Sequence, residues 1–507
     1  MTDVPTSAAP LPALFGRIRG KLILAAILAA LADWLFYGHG LGVSLALFLM
    51  LVAASSLLTN SLVASRRQIL LGVTLLIAGW LPIIESFNFL SVLIAVVTTA
   101  VVVASLTNPF IEDLSDRVKA VLLLLFSGPF RLLEDIRLGL VSRLSFASVT
   151  VWIMPVILTG VFLLLFAFAN PLIAKWLAAL NPGTAASRLD VPRLLLWMAV
   201  AGVCWPFVAI NWKRRPPPVL PAQQAATESE PAEKFPIDVF DPAAIVRALL
   251  LFNLLFAVQT VLDVTYLWGG VALPDGMTYA SYAHRGAYPL IVTALLAAGF
   301  VLVAMNPGGA AERIPLIRAL VFAWIGQNVM LVLSSILRLD LYVEVYSLTC
   351  WRVAAFIWMV LVALGLLLIV TRIATGRSNR WLILANWTTL ALVAYTCTFV
   401  NFSALIANYN VAHSSQISGR GAWLDFSYLA DLGPQALPAI DRYLRHARQD
   451  PRQDKPTLAA MEARRQQLAQ SQHGALSSWR EWTYRDWRLQ RYLDGSFVNP
   501  ASSSGVE

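Results

Sequence analysis

Charge is scarce in this chain. Of 507 residues only 13% are Asp, Glu, Lys or Arg, against 58% hydrophobic, and the mean hydropathy is +0.67. A soluble fold of this length could not hide so much apolar side chain in one core, so that class is excluded. Cysteine is scarcer still: Cys204, Cys350 and Cys397 stand at no paired spacing. That excludes a disulfide framework and a cysteine-based metal site. The alternating ten-residue pattern of a transmembrane barrel is absent. Phosphate-loop, zinc, hydrolase and nucleotide motifs are missing too, so neither cofactor nor metal is expected.

What is present is a succession of long apolar runs. Crossing the hydrocarbon as helix takes roughly 20 such residues. Eleven stretches qualify, near 22–37, 41–59, 69–84, 89–106, 148–169, 193–211, 245–267, 286–305, 316–337, 350–371 and 381–402. The expected fold is all-α, a polytopic α-helical membrane protein of about 11 transmembrane helices plus a small C-terminal helical domain.

Lys and Arg concentrate in loops that stay cytoplasmic. With the N-terminus inside, the inner segments hold 20 of them and the outer loops six, with twelve in the tail. This predicts a cytoplasmic N-terminus and an extracytoplasmic tail. The formal charge of +9 sits mostly at membrane boundaries, where anionic headgroups account for it, so membrane lipids and not nucleic acid are the expected partners. Arg17, Arg19 and Lys21, an apolar run and then Ala30-Leu31-Ala32 imitate a cleavable leader. An opening span with a snorkelling basic flank has the same pattern, and that reading is adopted.

Four parts follow. Residues 1–212 read as a bundle of about six spans. Within them, 108–147 carries VLLLLF, too short to cross and hemmed by charge, which predicts an amphipathic pair on the inner leaflet, broken at Pro129. The Pro-, Ala- and Glu-rich segment 213–242 reads as a flexible cytoplasmic linker. Residues 243–402 form a second bundle of about five spans. The tail, 403–507, reads as helical, and its stretch SSWREWTYRDWRLQRYLD is expected at headgroups or at the rim of the bundle.

At 100° per residue, Asn253, Gln259, Thr260, Asp263 and Tyr266 share an arc of roughly 140°, and Gln327, Asn328, Ser334, Ser335 and Arg338 one of roughly 120°. Lipid penalises such stripes, so each must face protein or water. The expected ligand or ion-pair cluster is Gln259, Asp263, Tyr279, Tyr282, His284, Arg285, Arg338, Asp340, Glu344, Tyr346, Arg352, Asn401 and Asn408. Structural ion pairs with an aromatic belt are the plainer account of it. No catalytic residue is assigned.

The stretches ALPDGMTYASYAHRGAYPL, NPGGAAERIPLIR, RLDLYVEVYSLTCWR and ANYNVAH with LDFSYLADLGPQALPAI occur in this order. Together they resemble a bacterial polytopic membrane family defined by a domain of unknown function, number 4173, related to number 4153. In that family the third stretch usually reads YGLT followed by Arg. Tyr346, Leu348, Thr349 and Arg352 match, and Ser347 stands where Gly is usual, which predicts a stiffer turn. The resemblance implies a multi-spanning protein of the bacterial cytoplasmic (inner) membrane and brings no activity.

The expected role is non-enzymatic: an envelope scaffold or sensory protein, with a possible protein partner met through the tail. One alternative is a transporter of an ion or small solute using Asp263, Arg338 and Glu344, with Asn253 and Asn386 the polar groups nearest the inner half. Another is a membrane transferase on a lipid-linked substrate, with His284 and Glu344 as base or acid.

Overall fold

The computed structural model describes residues 18–108, 114–140, 190–210, 212, 242–268, 314–449, 451, 455–475 and 477–498, with isolated positions between 154 and 162 and between 296 and 300. Among them there are helices and no strands. The protein is all-α and polytopic, and seven described helices are long and apolar enough to cross a membrane. The expected spans 148–169 and 286–305 lie almost wholly outside the described residues, as does the expected linker, apart from Pro242. The chain divides into two compact units, Met1–Pro218 with Ala475–Arg488, and Val219–Gly474 with Leu489–Glu507.

The first unit holds α1 (Ile18–Phe36), α2 (Val43–Thr59), α3 (Arg66–Glu85), α4 (Phe89–Thr107), α5 (Leu114–Phe126), α6 (Gly128–Leu140) and α7 (Val191–Val208). Of these α3, α4 and α7 are long and apolar enough to cross, and α2 is a shorter apolar helix. Lipid is as apolar as a leucine side chain, so helices in it associate through close packing of small residues. Accordingly α4 buries Ser91, Ala95, Thr99, Ala100 and Ala104, and α2 buries Ser44, Ala46, Ala53, Ser55 and Ser56. Both α3 and α4 start on reciprocal caps, Ser65 with Gln68 and Asn88 with Ser91, which satisfy first-turn N–H groups. Polar side chains tie the helices: Asp33 of α1 accepts from Arg193 of α7 at 2.7 and 2.5 Å and from Trp197 at 3.0 Å. Trp205 of α7 donates to Asp135 of α6 at 2.8 Å.

The arginine- and tryptophan-rich stretch of the tail closes this unit as a strap. Its Trp482 carbonyl accepts from Val43 N at 3.0 Å, and Glu481 accepts from Gly40 N at 2.7 Å. The Arg480 guanidinium lies 4.7 Å over the Trp34 ring, and Arg485 reaches Glu85 at 3.3 Å. The loop between α1 and α2 must be bare for the strap to lie so close. A Cβ on Gly42 would stand 2.5 Å from the Glu481 main chain.

The second unit holds α8 (Pro242–Leu262), which runs on as a π-helix over Asp263–Trp268, then α9 (Pro315–Tyr346), α10 (Cys350–Thr375) and α11 (Asn379–Phe399). Trp324 centres their core, stacked on Phe252 with centroids 5.0 Å apart and met edge-on by Phe256 and Phe300. At 1.5 Å per residue, the 32 residues of α9 reach about 48 Å, against about 30 Å of hydrocarbon. The helix therefore continues well past the apolar layer.

Beyond α11 come α12 (Phe402–Ala412), α13 (Ser415–Ser418), α14 (Phe426–Asp431), α15 (Leu437–Ala447) and α16 (Lys455–Ala475). They share a separate core. In α15, Leu437, Ile440, Tyr443, Leu444 and Ala447 recur on one face and are all buried. Leu489 and Leu493, from α17 (Tyr484–Val498), are buried in that core too. Asp441 holds its edge, accepting from Arg465 at 2.8 and 3.1 Å and from the Tyr492 hydroxyl at 3.0 Å.

Two outcomes are expected. Gly42→Ala should lift the strap, seen as faster proteolysis within 477–483 in the intact chain, whereas Gly326→Ala, with open space around it and no positive φ, should leave cleavage nearer the native rate. Burial, with Asp441 beside it, pushes the Tyr492 phenol up to about 12. The neutral phenol is therefore favoured by folding. Its contribution should be complete below the ordinary tyrosine range and lost as pH rises from there towards 12, which difference titration of native protein against Tyr492→Phe reads.

Candidate functional site

The polar stripe of α8 ends where the helix widens. Asp263 opens the π-helical segment, a local loosening often found at functional positions. Its Oδ1 accepts from Gln259 Nε2 at 2.9 Å and from the guanidinium of Arg338 in α9. The side chains of Asp263 and Arg338 are 2% and 4% exposed. Trp268 donates to Ser334 at 3.3 Å beside them. Opposite charges in contact attract strongly in a poorly polarisable interior, yet desolvation offsets much of that gain. The pair is a tie between two helices, with both side chains almost wholly buried.

Below it the polar faces continue. Asn253 donates to the carbonyls of Leu249 and Leu320 at 2.8 and 3.1 Å, and Asn328 donates to Trp324 at 2.8 Å. With both amides so committed, Asn253 Oδ1 and Asn328 Oδ1 are buried without a donor among the described residues, as is Gln327 Oε1.

A second arrangement stands at the end of α9. The chain leaves that helix through Ser347, whose φ of +64° and ψ of 170° fall in a region that side chains avoid and glycine accepts. Glycine would adopt it without a side-chain penalty. Each matching residue around it has a structural task. Leu348 is buried, its N–H donating to Asn410 Oδ1 at 2.7 Å and its carbonyl accepting from Asn410 Nδ2 at 2.9 Å. Thr349 caps α10. Arg352 donates to the carbonyls of Tyr346, at 2.6 Å, and Ser347, and lies 4.6 Å over the Tyr342 ring.

This turn walls a cavity of about 500 Å³ lined by Tyr346, Ser347, Thr349, Asn410, Trp423, Asp425 and Tyr428, among others. The opposite wall is the loop before α14. It passes through Gly421 at φ +87°, where a Cβ would meet the His413 carbonyl at 2.4 Å. Asp425 caps α14 through Tyr428 N at 3.0 Å, and the Tyr428 hydroxyl accepts from Cys350 N at 3.0 Å. Burial raises the phenol pKa of Tyr428. Tyr409 is raised as well, first by burial and then by the carboxylates of Asp340 and Glu344.

Of the residues singled out in the sequence, Gln259, Asp263 and Arg338 come together. Tyr346 and Arg352 meet at the turn. Asp340 and Glu344 are exposed on α9 and form no ion pair among the described residues. Asn401 caps α12 and donates to Gln435 at 2.9 Å, while Asn408 accepts from Arg442 at 2.9 Å. Tyr279, Tyr282, His284 and Arg285 lie outside the described residues. No group of His, Cys, Asp or Glu suited to a metal occurs among the described residues. Sequence reasoning missed Trp423, Asp425 and Tyr428 as lining. The usable signal was an acid in cap position before a short apolar helix, in LDFSYLADLGP.

One family model, Domain of unknown function (DUF4153), matches residues 22–443. The chain belongs to the DUF4153 family. No curated protein and no solved structure matches it. The DUF4153 match takes in the buried pair, the Ser347 turn and every lining residue named above, and it ends before the strap. An integral membrane protein is what family and helices together describe.

Two stability tests separate the parts of the site. Removing one partner of a buried pair leaves the other charge uncompensated, so Arg338→Ala should destabilise by about 3 kcal/mol, and Glu344→Gln by much less. Ser347→Gly should relieve about 1 kcal/mol of backbone strain. Thermal midpoints in detergent check both.

Proposed function

We propose that this DUF4153 protein is a non-catalytic scaffold or sensor of the bacterial cell envelope, resident in the cytoplasmic membrane. The observation that carries this reading is the cavity at the Ser347 turn. It is built from the end of a membrane helix and from the helical module that follows, and Asn410 locks the two together. A half-open recess on a rigid platform suits recognition. The buried Asp263–Arg338 tie suits rigidity more than turnover. Lys and Arg counts support a cytoplasmic N-terminus and an extracytoplasmic tail, which puts the recess outside. Within the first unit, the strap meets the α1–α2 loop and Glu85, segments the same counting assigns to that side. The ordered succession of four stretches supports the narrower assignment to number 4173. Linker 213–242 would then meet partners inside, and the tail partners outside.

The test is site-specific photocrosslinking in cells from Trp423 and Tyr346, with lipid-facing Leu392 as control. A discrete product from the first two positions and not from the third is expected. Equal, diffuse products from all three would overturn the reading.

One observation favours transport of an ion or small solute instead. Buried oxygens of Asn253, Gln327 and Asn328 without donors among the described residues suit water or a cation on a path towards Asp263. Uptake by reconstituted vesicles that Asp263→Asn abolishes would establish that reading. The transferase alternative has no such support.

A further inference from the structure

The cavity at the Ser347 turn has a particular chemistry. Its described lining offers three aromatic rings, Tyr346, Trp423 and Tyr428, one carboxylate, Asp425, and no cationic side chain. Asn410, also in the wall, has both ends of its carboxamide committed to Leu348. Two arginines flank the lining along the chain: Arg352 is committed to the carbonyls of Tyr346 and Ser347 and to the Tyr342 ring, and Arg420, beside Gly421, is exposed and is not itself among the lining residues. Two further carboxylates, Asp340 and Glu344, stand exposed on the last turns of α9 without ion pairs among the described residues. The lining itself offers an anion no cationic side chain, and an apolar ligand would leave the Asp425 charge uncompensated.

Ring faces attract cations through their quadrupoles, Trp most strongly, and a carboxylate at the same recess adds direct attraction. Rings and acid in one half-open space select a group that is positively charged and partly apolar. We propose that this cavity binds an ammonium group, on an aminated lipid headgroup or on a small soluble amine. The assignment rests on the recognition role proposed above and names its ligand. Two observations favour the headgroup as the source. Trp423 and Trp351 are 79% and 86% exposed at this end of the bundle, as interfacial tryptophans are. And α9 carries the recess only a few turns past the apolar layer.

The binding step is non-covalent, so the experiment reads occupancy. The full chain is placed in nanodiscs of phosphatidylethanolamine or of phosphatidylglycerol, and retained lipid is counted by native mass spectrometry. Equilibrium dialysis with labelled ethanolamine and choline supplies the soluble arm. Asp425→Asn keeps an efficient helix cap and removes the charge, and Trp423→Ala removes a ring. Each should weaken ammonium binding about tenfold, with Trp423→Phe intermediate and thermal midpoints of Asp425→Asn near native.

Retention of phosphatidylethanolamine alone would identify the headgroup, and saturable binding of the free amines would identify the soluble source. Either supports the proposal. Binding of neither, preference for phosphatidylglycerol, or indifference to Asp425→Asn would overturn it. If amine binding fails while Trp423 still gives its discrete crosslink, the ammonium assignment falls and the recognition role stands. If both fail, both fall.

Discussion

Two hydrogen bonds between the Asn410 carboxamide and the main chain of Leu348 hold the far end of α9 to the helices that follow it. A carboxamide presents an N–H and a carbonyl oxygen side by side in one plane, so it pairs with main-chain groups as a neighbouring strand would. It satisfies a turn that has no regular partner of its own. Buried N–H and C=O groups left unmet are expensive, more so near a membrane where water is thin. Ser347 stays in its strained conformation because its surroundings hold it there: Leu348 clamped on one side, Arg352 across the last carbonyls of α9 on the other. The cavity exists because this turn cannot relax into a simple helical hairpin.

The polar groups inside the second bundle obey the same accounting with a different answer. Asp263 and Arg338 satisfy one another and are buried, and the π-helical segment delivers Asp263 to that meeting. Asn253 and Asn328 spend their amide hydrogens on carbonyls of α8 and α9 and leave oxygens over. Helices in lipid gain little from apolar burial alone, so such bonds, with small-residue packing, set which faces meet. The first unit uses Asp33, Arg193, Trp197, Asp135 and Trp205 in that way.

Much of this was legible because it is written locally. A span needs a certain length of apolar sequence, and the seven helices long and apolar enough to cross coincide with runs visible in the chain. The shared arcs of α8 and α9 foretold that Gln259, Asp263 and Arg338 would meet. Their burial was not foretold, since it depends on what packs around an arc. Glu85 and Arg485 are 400 residues apart, and nothing in either neighbourhood announces the other. Arg352 looked like an ion-pair partner by charge, yet main-chain carbonyls claim it, because a helix ends there with acceptors unspent. Ser347 was visible as a departure from the usual glycine, but a positive φ belongs to the fold.

Helix α9 gives the two parts of the site a physical connection. Arg338 and Tyr346 lie on the same unbroken helix, eight residues and therefore about 12 Å apart along it. A helix of this kind transmits rotation and translation with little loss, whereas a loop would absorb them. At one end its position is fixed by a buried charge pair that tolerates little displacement, because separating the charges leaves both desolvated. At the other end its position is fixed by the Asn410 clamp and the strained turn. A ligand pressing on the cavity wall must either leave α9 where it is or move it against the Asp263–Arg338 tie. The first outcome makes the recess a rigid dock. The second makes it a lever on the interior of the bundle, where the unmet amide oxygens of Gln327 and Asn328 ride on the same helix. On the role proposed above, the strength of the buried tie would decide between scaffold and sensor.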